Sequence, residues 1–428
     1  MTSTNVSTNG AQEFDIVKNV DAVVVGAGPG GSLCARELAK AGVHVLCVDR
    51  RQEIGAPKRC AEGISGEGLA ESNVTPHPAW TSGTITGAIL YSPSGRIVTV
   101  DDPSAVGYVV ERKVFEKHLA KDAIESGAKY MVKVHIDQVF KDATGRVTGV
   151  AGDFMGKSIR INAKLVIGAD GIDSLIGRKA GLRTSLQKMR DYHSAAQYEM
   201  AGVKCDMTKL HLYFGGEVAP LGYVWIFPKA AGLSNVGVGI LTTKSKPGHR
   251  AIDYLDRFIA ANPKMFSGAS PVEINASGIP VSAGIKKFWS DGIMLVGDAA
   301  QQVNPIHGGG ISLAMRAGVI AGQVGAKAIK ANDVSAARLS EYGRLWEEAH
   351  GKELAKLYKF RMFMEELTDQ DMEKLSKLVT SDIIVDLTYA RFRTFAKLLL
   401  TKMPTLVPLL AKYIMAPGKK FEVEAIEA

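Results

Sequence analysis

A glycine-rich turn between a short apolar strand and a helix constrains the fold of this chain more than any other feature. Residues 20–25 (VDAVVV) predict a buried strand, and residues 32–41 predict a helix. Between them lie Gly26, Gly28 and Gly31, spaced as GxGxxG. In such a unit the first glycine permits the tight turn, the second lets a pyrophosphate approach the backbone, and the third lets helix and strand pack closely. The segment therefore predicts a dinucleotide-binding βαβ unit with phosphates at the helix N-terminus.

An acidic residue completes this pattern. Asp49 follows the next predicted strand, residues 43–48, at the distance from the glycines that is usual for a carboxylate binding ribose hydroxyls. A glycine-rich turn that binds no ligand is the alternative. The strand, the helix and Asp49 together weigh against it.

Two more predicted strands end in acidic turns. Residues 168–171 read GADG after the run KLVI, and Gly297 and Asp298 follow the run GIMLV. Either turn alone is typical of an ordinary protein surface. Their order behind the dinucleotide motif indicates a large cofactor contacted from three chain segments.

These segments resemble the FAD-dependent family that has the para-hydroxybenzoate hydroxylase fold. The resemblance covers residues 20–330 and implies FAD as the cofactor. The residues it implies for binding FAD are Gly26, Gly28, Gly31, Asp49, Arg112, Asp170, Gly171, Gly297, Asp298, Pro305, Gly308, Gly309 and Gly310. The loop before a helix starting near Ile311 would face the flavin ring, where backbone N–H groups stabilise the negative charge of the reduced flavin. A flexible hinge at residues 308–310 is the alternative.

The order of elements predicts an α/β + β fold in three parts, preceded by a flexible tail. Strand–helix segments flank a strand-rich middle, and the chain after residue 335 is helical in character. We predict a flexible tail at 1–18, a Rossmann-type FAD-binding domain at 19–75, 105–180 and 276–335, a sheet-based substrate domain at 76–104 and 181–275, and a helical C-terminal region at 336–428.

A strand rich in aromatic residues points to a smaller group of enzymes within this family. Residues 223–228, YVWIFP, resemble the YxWxFP motif of geranylgeranyl reductases, including archaeal enzymes that saturate membrane-lipid precursors. Alternation along a strand places Tyr223, Trp225 and Phe227 on one face, as a substrate-binding wall for a long isoprenoid chain. An aromatic core strand is the alternative. Flavin-dependent halogenases carry a similar tryptophan motif.

Two residues are candidates for catalysis. Cys60 lies in the second family marker, PKRCAEG, and the resemblance places it near flavin and substrate. Lys58 and Arg59 beside it could lower its pKa or bind an anionic headgroup. His307 could donate a proton near the flavin. The alternatives are a packing cysteine with a solvated basic pair, and a histidine that faces solvent.

The charge of the chain favours anionic partners. Its net charge is +8, and residues 387–420 hold seven Lys or Arg and no acidic residue on an amphipathic pattern. This segment could lie on an anionic membrane surface or cap the protein with its apolar face. We predict peripheral membrane association and no nucleic-acid partner.

The cysteines and the chain start bear on location. The four cysteines fit neither a CxxC motif nor a zinc site, so we assign no metal and expect a reducing, cytoplasmic setting. The polar first residues resemble no signal peptide, and no run of apolar residues is long enough to span a membrane.

The resemblance predicts FAD-dependent reduction of isolated C=C bonds in geranylgeranyl chains, on a digeranylgeranyl glycerophospholipid. The proton could come from the flavin, from Cys60 through a water, or from His307. The external electron donor is left open between reduced ferredoxin, NAD(P)H and deazaflavin, and no second GxGxxG indicates a nicotinamide domain. A flavin monooxygenase or halogenase of the same fold and a non-catalytic, flavin-bound membrane adaptor are the competing hypotheses.

Overall fold

A mostly parallel β-sheet carries the glycine-rich turn at the centre of the computed structural model, which describes residues 13–101, 106–183 and 188–415. The strands are β1 (Ile16–Val25), β2 (Val45–Asp49), β3 (Gly63–Ser65), β4 (Thr81–Ile85), β5 (Gly87–Tyr91), β6 (Ile97–Asp101), β7 (Gly107–Val110), β8 (Lys129–Val132), β9 (Val134–Lys141), β10 (Val147–Phe154), β11 (Lys157–Gly168), β12 (Tyr192–Ala201), β13 (Lys209–Tyr213), β14 (Tyr223–Pro228), β15 (Leu233–Leu241), β16 (Ser270–Pro280), β17 (Trp289–Ser290) and β18 (Ile293–Leu295). The first sheet runs β17-β18-β11-β1-β2-β8, and all its neighbours from β18 to β8 are parallel. Its central strands are buried runs of Val, Ile, Leu and Ala, as expected for a parallel sheet covered on both faces.

Helices cover this sheet, and two of them cross at close range. The helices are α1 (Pro29–Lys40), α2 (Gly66–Glu71), α3 (Arg112–Glu125), α4 (Leu175–Ala180), α5 (Ala251–Ala261), α6 (Pro263–Phe266), α7 (Ile311–Lys330), α8 (Ala336–Trp346), α9 (Lys352–Met364), α10 (Asp369–Ser376), α11 (Ser381–Thr388), α12 (Arg393–Lys402) and α13 (Val407–Leu410). A Cβ atom on Gly30 of α1 would lie 2.8 Å from the carbonyl oxygen of Ala314, and one on Gly318 of α7 would overlap the carbonyl oxygen of Gly30. Glycines therefore allow the two backbones to approach each other directly.

The second sheet has seven strands in the order β16-β12-β15-β14-β13-β5-β6. Its pairings are antiparallel except that β13 runs parallel to β5. One face packs its apolar side chains against α5 and α6 in a core of its own. The other face carries Tyr223, Trp225 and Phe227, because these alternate residues of β14 pair opposite Gly239, Gly237 and Asn235 of β15.

The C-terminal helices dock on both halves of the molecule. The buried guanidinium of Arg361 in α9 donates to the carbonyl oxygens of Val281 and Arg190. Asp369 at the start of α10 accepts the Gly216 N–H at 3.0 Å. The chain after residue 335 is helical, as the sequence predicts, as far as the described residues extend.

Three predicted boundaries shift. Strand β1 begins at Ile16, so residues 16–18 belong to the sheet and not to a loose tail, because Ile16 and Lys18 pair with Ile159 and Ile161 of the long strand β11. Residues 1–12 lie outside the described part of the chain. Strand β16 runs from Ser270 to Pro280 and pairs with β12 in the second sheet, so residues 276–280 lie in that sheet and not in the FAD-binding domain to which the sequence assigned them.

The remaining shift concerns β4, which lies in the predicted substrate segment 76–104. It pairs with β7, not with β5, in a third sheet ordered β3-β7-β4. The hairpin of β5 and β6 does belong to the second sheet. The domain ranges as a whole remain predictions.

Candidate active site

The acidic turns of the sequence meet at one edge of the parallel sheet. Strands β2, β1, β11 and β18 are neighbours, and each ends in or just before one of the motif turns. Because the carboxyl ends of parallel strands lie at the same edge, Gly26, Asp49, Asp170 and Asp298 converge there. In open α/β sheets this edge is where ligands bind.

The three motif glycines differ in what a side chain at each position would contact. Gly26 has a φ of +108°, and a Cβ there would overlap the Ala169 backbone. A Cβ on Gly31 would overlap the Gly26 carbonyl oxygen. A Cβ on Gly28, by contrast, would meet no atom within 4 Å. Gly28 is the N-cap of α1, and because it has no side chain the first N–H groups of the helix are not capped. The space in front of Gly28 and the open N–H groups of α1 fit the pyrophosphate of a dinucleotide.

Asp49 contacts protein groups on both oxygens. Oδ2 accepts the Ala27 N–H at 2.8 Å, and the carboxylate pairs with Arg51 at 2.9 Å. Burial works to raise the pKa of Asp49, but Arg51 and these hydrogen bonds hold it below its usual value. Asp49 therefore orders the glycine-rich turn, and its contact with a ribose remains a prediction.

Arg112 is the first residue of α3 and lies at the centre of several charges. Its Nε donates to Oε1 of the buried Glu116 at 2.6 Å, and Cys60 lies close to its guanidinium. Burial opposes the charged form, but Glu116 and Cys60 raise the pKa of Arg112. A permanent positive charge therefore faces Cys60 and the Asp298 turn.

The two other acidic turn residues differ in role. Asp170 accepts the Ile176 N–H at 2.9 Å and the Ser174 hydroxyl at 3.2 Å, so its carboxylate holds the start of α4. Burial raises the pKa of Asp170 and also that of Asp298, where Arg112 opposes the shift. Gly171, with a φ of +79°, has open space where a Cβ would lie. Binding of a cofactor by Asp170, Gly171 and Asp298 stays a prediction.

The glycine-rich loop after Pro305 ends at the N-terminus of α7. Gly308 has a φ of +69°, and a Cβ there would lie 2.8 Å from Ile279 of β16. Gly310 is the N-cap of the 20-residue helix α7, which starts at Ile311 and has no side-chain cap. Its first N–H groups are therefore available to an anionic or electron-rich group.

His307 and Tyr223 join the loop to the second sheet. The Tyr223 hydroxyl donates to the His307 carbonyl oxygen at 2.5 Å, and His307 Nδ1 accepts the Gly309 N–H at 3.0 Å. His307 is exposed to solvent, and neighbouring protein atoms desolvate its ring only in part. Desolvation by these atoms lowers the pKa of His307, so the ring is neutral at physiological pH, and because Nδ1 accepts a hydrogen bond the ring carries its proton on Nε2.

The aromatic wall is arranged as the strand pattern predicts, with one difference. Tyr223 and Phe227 are half-buried, but Trp225 is only 5% exposed and lies across Gly237. Its indole Nε1 donates to Gln197 Oε1 at 2.9 Å. Trp225 therefore supports the wall as much as it lines it.

A buried ionic cluster lies next to Cys60, and it is not among the features that the sequence predicts. Lys58, expected to be available to a headgroup, is instead buried and pairs with Glu199 and with Glu62 at 3.2 Å. Lys229 pairs with Glu62 at 2.8 Å and Glu199 at 3.4 Å. Lys58 and Glu62 belong to the PKRCAEG marker, but their partners come from distant strands, which sequence spacing does not reveal.

Comparison with known proteins matches this arrangement to two family models. The model described as the geranylgeranyl reductase catalytic domain matches residues 191–279, and the one described as lycopene cyclase protein matches residues 21–199. The first range covers β12 to β16, which include the aromatic wall. The second includes the glycine-rich turn, Cys60 and Arg112.

Relatives of the whole chain are also found. Digeranylgeranylglycerophospholipid reductase of Methanocaldococcus jannaschii is 43% identical over 90% of this chain and 96% of its own. The crystal structure of a geranylgeranyl bacteriochlorophyll reductase-like protein from Thermoplasma acidophilum has a TM-score of 0.86 and 34% identity, covering 93% of this chain and 100% of its own. A triple mutant of the flavin-dependent brominase Bmp2 has a TM-score of 0.70 at 20% identity over 93% of this chain and 100% of its own, which shows a shared fold.

The contrast between Gly28 and Gly31 gives a test of the dinucleotide site. Gly28→Val should fold, because the protein leaves space there, but should lower FAD affinity by about tenfold or more by occupying the approach of the pyrophosphate. Flavin absorbance after reconstitution with excess FAD measures this. Gly31→Val is the control and should destabilise the fold itself. A Gly28→Val protein that retains FAD at wild-type affinity contradicts this placement.

Proposed function

Because the chain belongs to the digeranylgeranylglycerophospholipid reductase family, we propose that it uses FAD to reduce the isolated C=C bonds of geranylgeranyl chains carried by a glycerophospholipid. The family makes it an oxidoreductase of isoprenoid lipid biosynthesis. The observation that carries the proposal is the hydrogen bond from Tyr223 to the carbonyl of His307. It holds the aromatic strand directly against the loop that would face the flavin.

The residues at the sheet edge would hold FAD by its polar groups. The space at Gly28 and the α1 N-terminus suit the pyrophosphate, and the uncapped α7 N-terminus suits the electron-rich edge of the ring. When bound and reduced, FAD supplies the hydride. The external electron donor remains part of the proposal, with reduced ferredoxin, NAD(P)H and deazaflavin as candidates.

The aromatic strand would orient the prenyl chain. Tyr223 and Phe227 present half-buried rings on the face that meets the cofactor loop, and Trp225 fills the space between them. Flat apolar rings bind a flexible chain without a polar partner and exclude water. Trp225 in turn keeps its orientation through Gln197.

The chain also has to position a proton donor. Cys60 lies close enough to influence the charges of Arg112 and Tyr223, while His307 has one remaining proton on Nε2. Burial raises the pKa of the Tyr223 phenol, so that phenol stays protonated at neutral pH. Cys60 and His307 remain the proposed donors.

The proposed reaction can be tested without the natural electron donor. Protein reduced with dithionite should convert an anaerobic geranylgeranyl phospholipid to products heavier by about two mass units for each bond reduced. Mass spectrometry of the extracted lipid measures this. Product that appears only after oxygen is admitted would indicate monooxygenase or halogenase chemistry. Bound flavin with unchanged lipid would indicate a non-catalytic adaptor.

Replacing Trp225 tests the aromatic wall. Trp225→Ala should lower kcat/KM for the prenyl lipid by about tenfold or more, because the chain loses its fixed position, and should leave FAD bound. Loss of a buried Trp destabilises by about 3–5 kcal/mol, so the thermal midpoint is measured alongside turnover. Val224→Ala, on the same strand but on the opposite, α5-facing side, is the control. Equal turnover in both folded variants would assign Trp225 to the structural core.

The basic C-terminal segment buries its apolar face against the protein, which an inserted membrane helix would not do. Its apolar face packs on α9 and α10, through Phe395, Leu399, Met403, Leu406, Leu410 and Tyr413. Arg391, Arg393, Lys397 and Lys402 are exposed. No helix within residues 13–101, 106–183 and 188–415 has the length and apolar character needed to cross a bilayer. We therefore propose that any membrane contact of this segment is electrostatic.

Vesicle co-sedimentation tests this contact. Each Lys or Arg near an anionic surface contributes about 1 kcal/mol, so changing Arg391, Arg393, Lys397 and Lys402 to Gln should release the protein at low salt. Wild type should be released by high salt, because the charges are screened. The control changes Lys40, Lys121, Lys164 and Lys327 to Gln, which removes the same charge from exposed sites elsewhere. Equal sedimentation of both variants would contradict docking by this segment.

A further inference from the structure

A buried cluster of four charges joins the Cys60 loop to the second sheet. Lys58 and Glu62 come from the loop, Glu199 from β12, and Lys229 from the end of β14. Lys58, Glu62 and Lys229 have side chains exposed by 2% or less. The reductase function proposed above does not use any of these charges.

Glu62 is the member of the cluster with contacts on every side. Oε2 accepts from Lys229 at 2.8 Å, from Asn235 at 2.8 Å and from Lys58 at 3.2 Å. Oε1 accepts the backbone N–H of Arg112 at 2.8 Å. One carboxylate therefore ties together the loop, the second sheet and the start of α3.

The backbone of Glu62 contacts the candidate catalytic thiol. Its N–H donates to Cys60 Sγ at 3.1 Å, and its carbonyl accepts the Val110 N–H at 2.9 Å. Its φ is +71°, a left-handed conformation that a residue with a side chain adopts only when its surroundings impose it. The buried contacts of the carboxylate supply that constraint.

Stability alone gives a weak reason for such a cluster. Charges that leave water lose solvation, and apolar residues of similar volume in their place are often as stable or more stable. Fully satisfied polar networks do fix one arrangement of the groups that they join. The groups joined here include Cys60 and Arg112, since the Glu62 N–H donates to Cys60 Sγ and the Arg112 N–H donates to Glu62 Oε1.

We propose that Glu62 is a positioning residue that fixes the Cys60 thiol and Arg112 against the aromatic strand. It acts through Cys60 and does not itself touch the substrate. The importance of this position for turnover rests on the proposed reductase function. The position itself can be measured independently of turnover.

Glu62→Gln is a sharp substitution because an amide has only one acceptor. The carboxylate accepts from Arg112 on one side and from Lys229, Asn235 and Lys58 on the other. Gln can satisfy only one side and must direct its NH₂ group at a donor on the other. Glu199→Gln is the matched control, because it removes the same charge from the same two lysines but comes from β12.

The experiment measures the alkylation rate of Cys60 by iodoacetamide as a function of pH, in FAD-loaded protein. A Cys205→Ser background removes the other half-buried thiol, since Cys34 and Cys47 are buried. Glu62→Gln leaves one hydrogen bond unmade and loosens the loop, which should raise the alkylation rate of Cys60 by about fivefold and change the pH profile of that rate. Glu199→Gln should stay close to wild type. If both variants react alike, or if Glu62→Gln reacts like wild type, the proposal is wrong.

A second variant keeps the proposal testable if Glu62→Gln does not fold. Glu62→Asp keeps the charge but is one methylene shorter, so it should loosen the same contacts and give an intermediate alkylation rate. In prenyl reduction, Glu62→Gln should lower kcat more than it raises KM. Faster alkylation in the variant, together with an inactive wild type, would reject the reductase function and keep the positioning role. Unchanged alkylation in the variant, together with an active wild type, would reject the positioning role and keep the reductase function.

Discussion

The close crossing of α1 and α7 is the constraint on which the active site depends. Gly30, Gly318 and Gly322 have no room for a Cβ, because each faces the backbone of the opposite helix. Helix α1 begins at the first glycine-rich turn, and α7 begins at the second. The crossing therefore fixes the distance between two open helix N-termini, one suited to the pyrophosphate and the other to the electron-rich edge of the ring. A side chain at Gly318 would move these ends apart without touching either site.

A second link sets the distance between this frame and the aromatic strand. It consists of contacts that are far apart in sequence: Tyr223 with the His307 carbonyl, and Glu62 with Lys229 and Asn235. The first joins the second sheet to the loop before α7, and the second joins it to the loop that carries Cys60. The contacts of Glu62 are buried, where an unmade hydrogen bond is expensive, so they hold the second sheet in a defined position relative to the Cys60 loop. A reaction at one carbon–carbon bond of a flexible chain needs such a position.

The sequence predicted the parts of the site that local pattern determines. The turn glycines, the start of α7 and the one-sided placement of Tyr223, Trp225 and Phe227 follow from spacing and strand alternation, and the structure confirms these placements. The flavin fold is likewise supported, by structural neighbours. Spacing could not show that Lys58 is buried, because its partner Glu199 lies in a distant strand. Nor could amphipathicity tell whether Leu399 faces a bilayer or the protein, because either surface accepts the same apolar stripe.

The site also constrains how the proton is delivered. An isolated alkene is electron-rich, so its reduction benefits from protonation in step with hydride transfer, yet the candidate donors here are not strong acids. The surrounding protein lowers the pKa of His307, which leaves a neutral ring, and burial raises the pKa of Tyr223, which leaves a neutral phenol. The same burial protects a reduced cofactor and holds an apolar chain. A strongly acidic group could donate a proton only if its surroundings kept it protonated at neutral pH. A neutral imidazole or phenol carries its proton at that pH without such help. The protein is therefore expected to contribute more through the fixed position of a weak donor than through the donor's acidity.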